Sequence, residues 1–261
     1  MREQHAAAEA ITWNLLTGPT FWDFWLGLAV GLCHVSAVPH LAAAFGSTGE
    51  FESDPNARSK SALRLLLTVA RLGTEHPTTR AALSRMNQGH RHVRLTRDDV
   101  RYGLAVVAEY PMWWAERFGR RPWSDIEVAA TIAFYTRLGH HMGLRDLPGD
   151  RAGLQRLIED YEQEHQDFST TGARLVSAQL TDVVGGNKLL QTLGRVGLAS
   201  ALGDRTRVAV GLPVLGPATA MIARTSLRLL SRIMSRRTPS LPSLDDRTVL
   251  TESTAAAPVP A

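Results

Sequence analysis

Few residues of this chain have the types and the spacing that chemistry requires, and the first candidate is a carboxylate–histidine pair, Glu162 and His165. Because the two stand three residues apart, a helix would place both side chains on one face, as in bundles that bind two iron ions. Such a centre needs a second pair and two further carboxylates, and the sequence contains no other Glu-x-x-His. Acidic residues also surround the pair on every side of the predicted helix. We therefore interpret this segment as a solvated helix face.

The second candidate is a pair of histidines, His90 and His92, near the end of another predicted helix. A lone histidine on a helix is more often structural than a metal ligand. An axial haem ligand, however, requires only one histidine, so it leaves no multi-residue spacing to find. The residues alone therefore leave both interpretations open.

The third candidate is a basic amphipathic helix predicted over 216–236. It carries four arginines at a strict four-residue spacing, with leucine, isoleucine and methionine beside them: Arg224, Arg228, Arg232 and Arg236. Such a helix can lie on an anionic membrane surface, which would suit a protein with an apolar substrate. The simpler interpretation is a surface helix that packs its apolar side on the core.

Composition excludes several other classes of site. A chain of 261 residues with 44% apolar residues can bury a sufficient core without a disulfide or a structural metal. Its single cysteine, Cys33, excludes an internal disulfide, a four-cysteine zinc site and an iron–sulfur cluster held by its own thiolates. No nucleophile elbow and no glycine-rich phosphate loop occur, and the arginine helix is too long and too apolar for a DNA-recognition helix. We therefore predict no nucleic-acid partner.

The elements that must position these residues are helices, because helical periodicity dominates and no run of alternating β-branched residues is found. Pro55 begins a helix that Gly73 ends, which predicts a helix from about residue 55 to residue 72. Thr96 and Ser124 each begin a capping box, and Pro111 should kink the first of the two helices that follow.

The N-terminal segment lacks the layout of a secretory signal, and we expect a cytoplasmic protein. The longest continuous apolar run, 24–33, has about half the length that a membrane-spanning helix requires. We interpret this run as part of a buried core helix.

A series of short motifs follows in a fixed order along the chain. They are Asp54-Pro55-Asn56-Ala57-Arg58, Arg85-Met86-Asn87-x-x-His90-x-x-Val93, Trp114-x-x-Arg117-Phe118-Gly119, Gly139-x-x-Met142-Gly143-Leu144 and Ala209-Val210-Gly211-Leu212-Pro213. In order and spacing they resemble the MpaB-type oxygenase family, which includes the rubber oxygenase catalytic domain. The resemblance covers about residues 37–237.

This resemblance implies a globin-reminiscent domain that binds haem b through one histidine and leaves the other face of the iron open for O₂. His90 holds the family's His-x-x-Val position and would be the axial iron ligand, with His92 as the alternative. Arg58 matches the family's distal arginine and would lie near the haem and its bound oxygen, where Ser61 supplies a hydroxyl. Members of the family cleave a carbon–carbon double bond of a prenyl or polyisoprene chain with O₂, leaving two carbonyl ends.

The chain departs from the rubber oxygenases next to that arginine. Three and four residues after it, those enzymes carry a lysine and a threonine, whereas this chain has Ser61 and Ala62. Arg64 and Thr68 repeat the Arg-x-x-x-Thr spacing but stand nearer to His90 in sequence, so we prefer the register at Arg58. The missing cation argues against polyisoprene itself as the substrate.

We therefore predict one all-α, globin-reminiscent domain over 37–237, preceded by an N-terminal helical extension, 1–36, and followed by a disordered tail, 238–261. We predict a haem b-dependent oxygenase that uses O₂ to cleave or oxidise a carbon–carbon double bond of an isoprenoid-like or other apolar substrate. Arg58 and Ser61 are its predicted catalytic residues, and His90 and Arg58 would bind the haem.

The alternative is a non-catalytic helical protein that binds haem or another apolar ligand for carriage or sensing, an interpretation that Ala62 favours. Membrane contact, in either case, would be peripheral and made by the 216–236 helix.

Overall fold

The computed structural model describes the backbone of residues 2–47 and 55–237, and in these ranges it contains twelve α-helices and no strand. The side chains of residues 2–5, 55–62 and 182 lie outside the description, as do 48–54 and the predicted tail, 238–261. The helices are α1 Arg2–Thr17, α2 Phe21–Ser36, α3 Pro39–Gly46, α4 Pro55–Leu72, α5 Pro77–His92, α6 Arg97–Arg117, α7 Asp125–His141, α8 Arg151–His165, α9 Thr170–Val184, α10 Lys188–Ala201, α11 Asp204–Ala209 and α12 Pro217–Met234. The prediction of an all-α fold is confirmed.

Local capping chemistry sets several helix starts where the sequence places them. The Thr96 hydroxyl accepts a hydrogen bond from the Asp99 amide at 3.1 Å, and the Asp99 carboxylate accepts one from the Thr96 amide at 2.7 Å. Ser124 and Glu127 form the same reciprocal pair at the start of α7. Helix α4 has the predicted bounds, while α6 continues through Pro111 to Arg117.

The most extensive helix pair is α2 with α6, and two glycines of α2 allow it. A Cβ atom at Gly27 would lie 2.5 Å from the Cα atom of Pro111, and one at Gly31 would lie 2.9 Å from Cγ1 of Val106. Because no side chain intervenes, the two backbones approach closely. This contact brings His34, one turn after the second glycine, beside Tyr110 of α6.

The remaining helices form two groups around this pair. Helix α1 packs on α4 and α7, and α5 follows α4 as a hairpin, whereas α8 packs on α6 from the other side. Residues 1–36, expected as an N-terminal extension, form α1 and α2, and their Leu16 and Phe24 are buried in the same core as Leu67 and Phe134. The fold therefore has one core that both groups share.

The C-terminal helix, α12, lies on this body with its apolar side outward. Its inward residues are Ala223, Leu227 and Ser231, and the Ser231 hydroxyl donates to Oδ1 of buried Asp23 at 2.5 Å. Ile222 and Leu229 are 64% and 60% exposed. The expectation that this helix packs its leucine, isoleucine and methionine side on the core is therefore wrong, because of these residues only Leu227 lies in the contact, together with Ala223 and Ser231.

Within the described residues no single helix is long and apolar enough to cross a bilayer, although α2 and α3 together satisfy the length and composition, with a bend of 106° between them.

Candidate functional site

The first candidate site is built on the α4–α5 hairpin. Gly73, with φ of +82°, lets the chain reverse after α4. His76 then caps α5, since its Nδ1 atom accepts from the Thr78 amide at 3.3 Å, and Pro77 occupies the first turn. The local sequence thereby fixes two successive helices joined by four residues.

The hairpin distinguishes the two candidate histidines. Helix α5 buries Thr79 and Leu83 and packs Met86 against the core, and a rotation of about 100° per residue places His90 on this same inward side. His90 is half-buried, whereas His92 is exposed. Of the two, His90 is the one that can reach a group held inside the fold.

The two predicted catalytic residues, Arg58 and Ser61, lie in the first two turns of α4. Their side chains lie outside the described residues, so the roles assigned to them stay predictions. Arg64, in the register that we ranked lower, is half-buried, and Thr68 is buried.

Charge is distributed very unevenly over the hairpin. Residues 55–92 contain seven lysine and arginine residues and one acidic residue, Glu75. Hydrogen bonds from Arg80 and from Arg137, the latter at 3.0 Å, lower the pKa of the Glu75 carboxyl to about 2, and His141 lies 3.2 Å from it. The single negative charge is thus already engaged by cations, and the hairpin as a whole is strongly basic.

Several buried hydroxyls of the hairpin and of the helices beside it have no hydrogen-bond partner among the described residues. All are at most 2% exposed, and they belong to α1, α4, the α4–α5 connection, α5 and α7: Thr12, Thr68, Thr74, Thr79, Thr131 and Tyr135. Buried polar atoms are normally paired, so this group of helices carries an unusual number of unsatisfied donors.

A second polar centre lies between α2, α6, α8 and α11, where the sequence analysis proposed no site. Nδ1 of His34 is 2.6 Å from the Tyr110 hydroxyl and 2.8 Å from Oε1 of Glu162. The Tyr102 hydroxyl donates to the same carboxylate oxygen at 3.0 Å, and the Thr206 hydroxyl lies 3.3 Å from the imidazole. We call these five residues the His34 cluster.

Glu162 therefore does not lie on a solvated face, and that interpretation is wrong for this residue. Helix α8 buries Leu154 and Ile158, and Glu162 continues the same four-residue spacing inward. This register is the signal that the sequence analysis missed. The paired His165 contacts the rings of Tyr161 and His40 instead. No group of three or more histidine, cysteine or acidic side chains that could hold a metal occurs in the described part of the chain.

Electrostatics keep the two tyrosines of the His34 cluster protonated. Burial raises the pKa of Tyr102 and of Tyr110 well above 10, and the Glu162 charge raises both further. Both phenols are therefore hydrogen-bond donors at neutral pH. Together with His34 they surround one carboxylate with donors.

The His34 cluster forms part of the wall of a cavity of about 600 Å³. Trp113 and Ile158 contribute apolar surface to this cavity, and Glu109 contributes a buried carboxylate. Arg151 binds Glu109 through Nε at 2.9 Å and through Nη2 at 2.9 Å. The polar groups of this second centre are thus satisfied by one another.

Comparison with known proteins identifies the family of the chain. Residues 20–235 match the family model described as ER-bound oxygenase mpaB/B'/rubber oxygenase, catalytic domain. The chain belongs to this family. The match spans both polar centres, and membership makes the protein an oxygenase by family.

The fold agrees with this assignment. The chain is similar to the solved structure of latex clearing protein in its closed state, with a TM-score of 0.61 and 15% sequence identity. The similarity covers 97% of this chain and 72% of that one. A comparison with curated protein sequences gives no significant match. The MpaB/rubber-oxygenase fold is therefore shared, while substrate and cofactor have to be argued from the residues.

Proposed function

We propose that this member of the family is a haem b-dependent oxygenase that uses O₂ to cleave or oxidise a carbon–carbon double bond of an isoprenoid-like or other apolar substrate. The observation that supports the cofactor most directly is the position of His90. It is a single half-buried imidazole on the inward side of α5, the side that also carries Leu83 and Met86. One axial imidazole is the protein ligand that haem iron requires.

Arg58 and Ser61 lie in the first two turns of α4, the helix that precedes the His90 helix, α5, in the chain. We propose these two residues as the catalytic groups, as the family resemblance implies.

The charge of the hairpin fits the anionic groups of haem. Haem b carries two carboxylates, and the seven basic residues of 55–92 provide cations for them. Arg85, five residues before His90, has its Nε and Nη2 atoms buried with no hydrogen-bond partner among the described residues. A cation in this situation is stabilised by a bound anion.

Each of the proposed site residues would then have its own role. His90 would hold the iron, and Arg58 would contribute a positive charge and Ser61 a hydroxyl to the reaction of O₂ with the alkene. Leu83 and Met86 would keep water from the reacting alkene. The haem itself supplies the activation of O₂.

A visible absorption spectrum tests the cofactor. We expect a Soret band in protein produced with ample haem, and we expect His90→Ala to abolish it because the only inward histidine of α5 is removed. His92→Ala is the matched control, since it removes an exposed histidine from the same helix and should keep the band. The absence of a Soret band in the wild type, or its loss in His92→Ala alone, would contradict the proposal.

Oxygen consumption separates the oxygenase from the alternative, a haem-carrying or apolar-ligand-binding protein without turnover, which Ala62 favours. With a prenylated alkene, the wild type should consume O₂ and form two carbonyl products. Arg58→Gln should keep the Soret band and lose roughly a hundredfold in rate, the usual effect of removing one charge-stabilising donor. A stable Soret band without O₂ consumption on any prenylated substrate would identify the carrier instead.

A further inference from the structure

In the described part of the chain, most of the exposed large apolar side chains lie on α10 and α12. Eight of the fourteen such side chains belong to these two helices. We call this set the α10–α12 surface, and it consists of Leu189, Leu190, Leu193, Met221, Ile222, Leu229, Leu230 and Ile233. Contiguous exposed apolar surface of this kind marks an interaction site in a soluble fold.

The two helices present one continuous surface because they pack antiparallel. Arg224 of α12 donates through Nε to the Ser200 carbonyl of α10 at 3.0 Å, and a Cβ atom at Gly197 would lie 3.4 Å from Leu227. Extending this pairing by one turn places Leu193 level with Leu230. The apolar residues of α10 therefore continue those of α12.

Arginines border this surface along one edge. A rotation of about 100° per residue places Arg228 and Arg232 between the body of the protein and the apolar stripe, and Arg236 follows two residues after the end of α12. None of them forms an ion pair with an acidic side chain in the described part of the chain; Arg228 donates only through Nε, to the Arg117 carbonyl at 2.9 Å. Residues 188–237 contain nine of the 29 basic residues of the chain and one of its 25 acidic residues.

We propose that the α10–α12 surface binds the surface of an anionic lipid bilayer. Helix α12 would lie in the plane of the interface, with Ile222, Leu229 and Ile233 at the acyl boundary. Its arginines would extend to the lipid phosphates, as long basic side chains do at such boundaries. This binding places no helix across the bilayer.

Charge favours this occupant over a second copy of the chain. Two copies that meet through the α10–α12 surface would bring two sets of unneutralised arginines together, which is repulsive. Anionic lipids supply the opposite charge, and each arginine near such a surface strengthens binding about fivefold. Apolar contact and charge therefore act together on a lipid surface and oppose each other between two copies.

Vesicle sedimentation of the full chain tests this proposal. The probes are vesicles of phosphatidylcholine mixed with anionic phosphatidylglycerol, and vesicles of phosphatidylcholine alone. We expect binding to the mixed vesicles that weakens with salt, and little binding to phosphatidylcholine alone. Ile222→Ser with Leu229→Ser should reduce binding by about tenfold or more, because two apolar side chains no longer leave water. Arg232→Gln with Arg236→Gln should reduce it by roughly 25-fold.

Matched controls use residues of the same type on other surfaces. Ile126→Ser changes an exposed isoleucine at the start of α7, and Arg156→Gln changes an exposed arginine of α8 that has no ion pair in the described part of the chain. Both should bind vesicles like the wild type, and all variants should keep the wild-type thermal midpoint.

Three results would overturn the proposal. The first is a wild type that does not bind the mixed vesicles. The second is equal loss in the control variants. The third is a dimer in solution that Ile222→Ser dissociates while vesicle binding is unchanged, because the occupant would then be a second copy.

Discussion

The two polar centres of this fold differ in whether their buried hydroxyl groups have hydrogen-bond partners. In the His34 cluster, between α2, α6, α8 and α11, every hydroxyl has a partner, and Oε1 of the Glu162 carboxylate lies within hydrogen-bond distance of both His34 and Tyr102. In the α4–α5 hairpin and the helices beside it, six buried hydroxyls have no partner among the described residues. The chain's own side chains provide the hydrogen bonds of the first centre, whereas the described side chains leave hydroxyls of the second centre without them.

This difference agrees with the proposal that the hairpin receives the ligand and that the His34 cluster is structural. A fully paired buried network stabilises one arrangement of its helices, and any new group must displace an existing bond. Buried groups without partners cost free energy and persist where function requires them. The contrast therefore agrees with the proposed haem site at the hairpin, although the cavity of about 600 Å³ lies beside the His34 cluster.

The largest expected loss of stability follows from removing the Arg151 side chain, which pairs with Glu109 beside the His34 cluster. Arg151→Met leaves the buried Glu109 carboxylate with only the Gln155 amide, at 2.8 Å, as a hydrogen-bond donor. We expect the free energy of unfolding to fall by about 3–5 kcal/mol, because an uncompensated buried charge remains. Urea denaturation measures this loss. The double variant Glu109→Gln/Arg151→Met should recover a large part of it, and a loss below about 1 kcal/mol in the single variant would contradict the expectation.

Two equally buried tyrosines provide the sharpest comparison between the centres. Tyr102→Phe removes a donor to the Glu162 carboxylate and should cost about 1.5–3 kcal/mol, the range for hydrogen bonds to charged groups. Tyr135→Phe removes a hydroxyl without a partner and should leave stability unchanged or raise it. The free energies of unfolding of the two variants are measured side by side. Equal losses would show that the two centres do not differ in this way.

Two threonines repeat the comparison at a smaller scale. The Thr206 hydroxyl donates to Oε1 of Gln166 at 3.0 Å, so Thr206→Val should cost about 1 kcal/mol. Thr68→Val removes an unpaired hydroxyl from α4 and should be neutral or stabilising. Thermal midpoints of both variants test this, and a destabilised Thr68→Val would indicate that its hydroxyl has a native partner.

Local sequence determines much of the fold. The bounds of α4 and the starts of α6 and α7 follow from Pro55, Thr96 and Ser124, because caps act within one turn of the helix that they begin. His90 was identified as the candidate iron ligand through the family resemblance, and the structure shows that it lies on the inward side of α5. For Arg58 and Ser61 the residue-level roles stay predictions.

The features that the sequence did not predict depend on contacts between distant residues. His34 lies in an apolar helix, and its importance becomes visible only when Glu162, 128 residues later, contacts it. The orientation of α12 was predicted wrongly for a related reason. An amphipathic pattern shows which side of a helix is apolar, but the rest of the chain decides which side is covered.

The hairpin also has a consequence for how quickly a large cofactor can enter. Helix α5 contacts α4 and makes few contacts with other helices in the described part of the chain, so detaching it exposes far less apolar surface than global unfolding. Its backbone amides should therefore exchange with deuterium faster than those of α6. Uptake of the proposed haem beside His90 would then depend on this local opening, and the paired core of α2 and α6 would remain intact while it occurs.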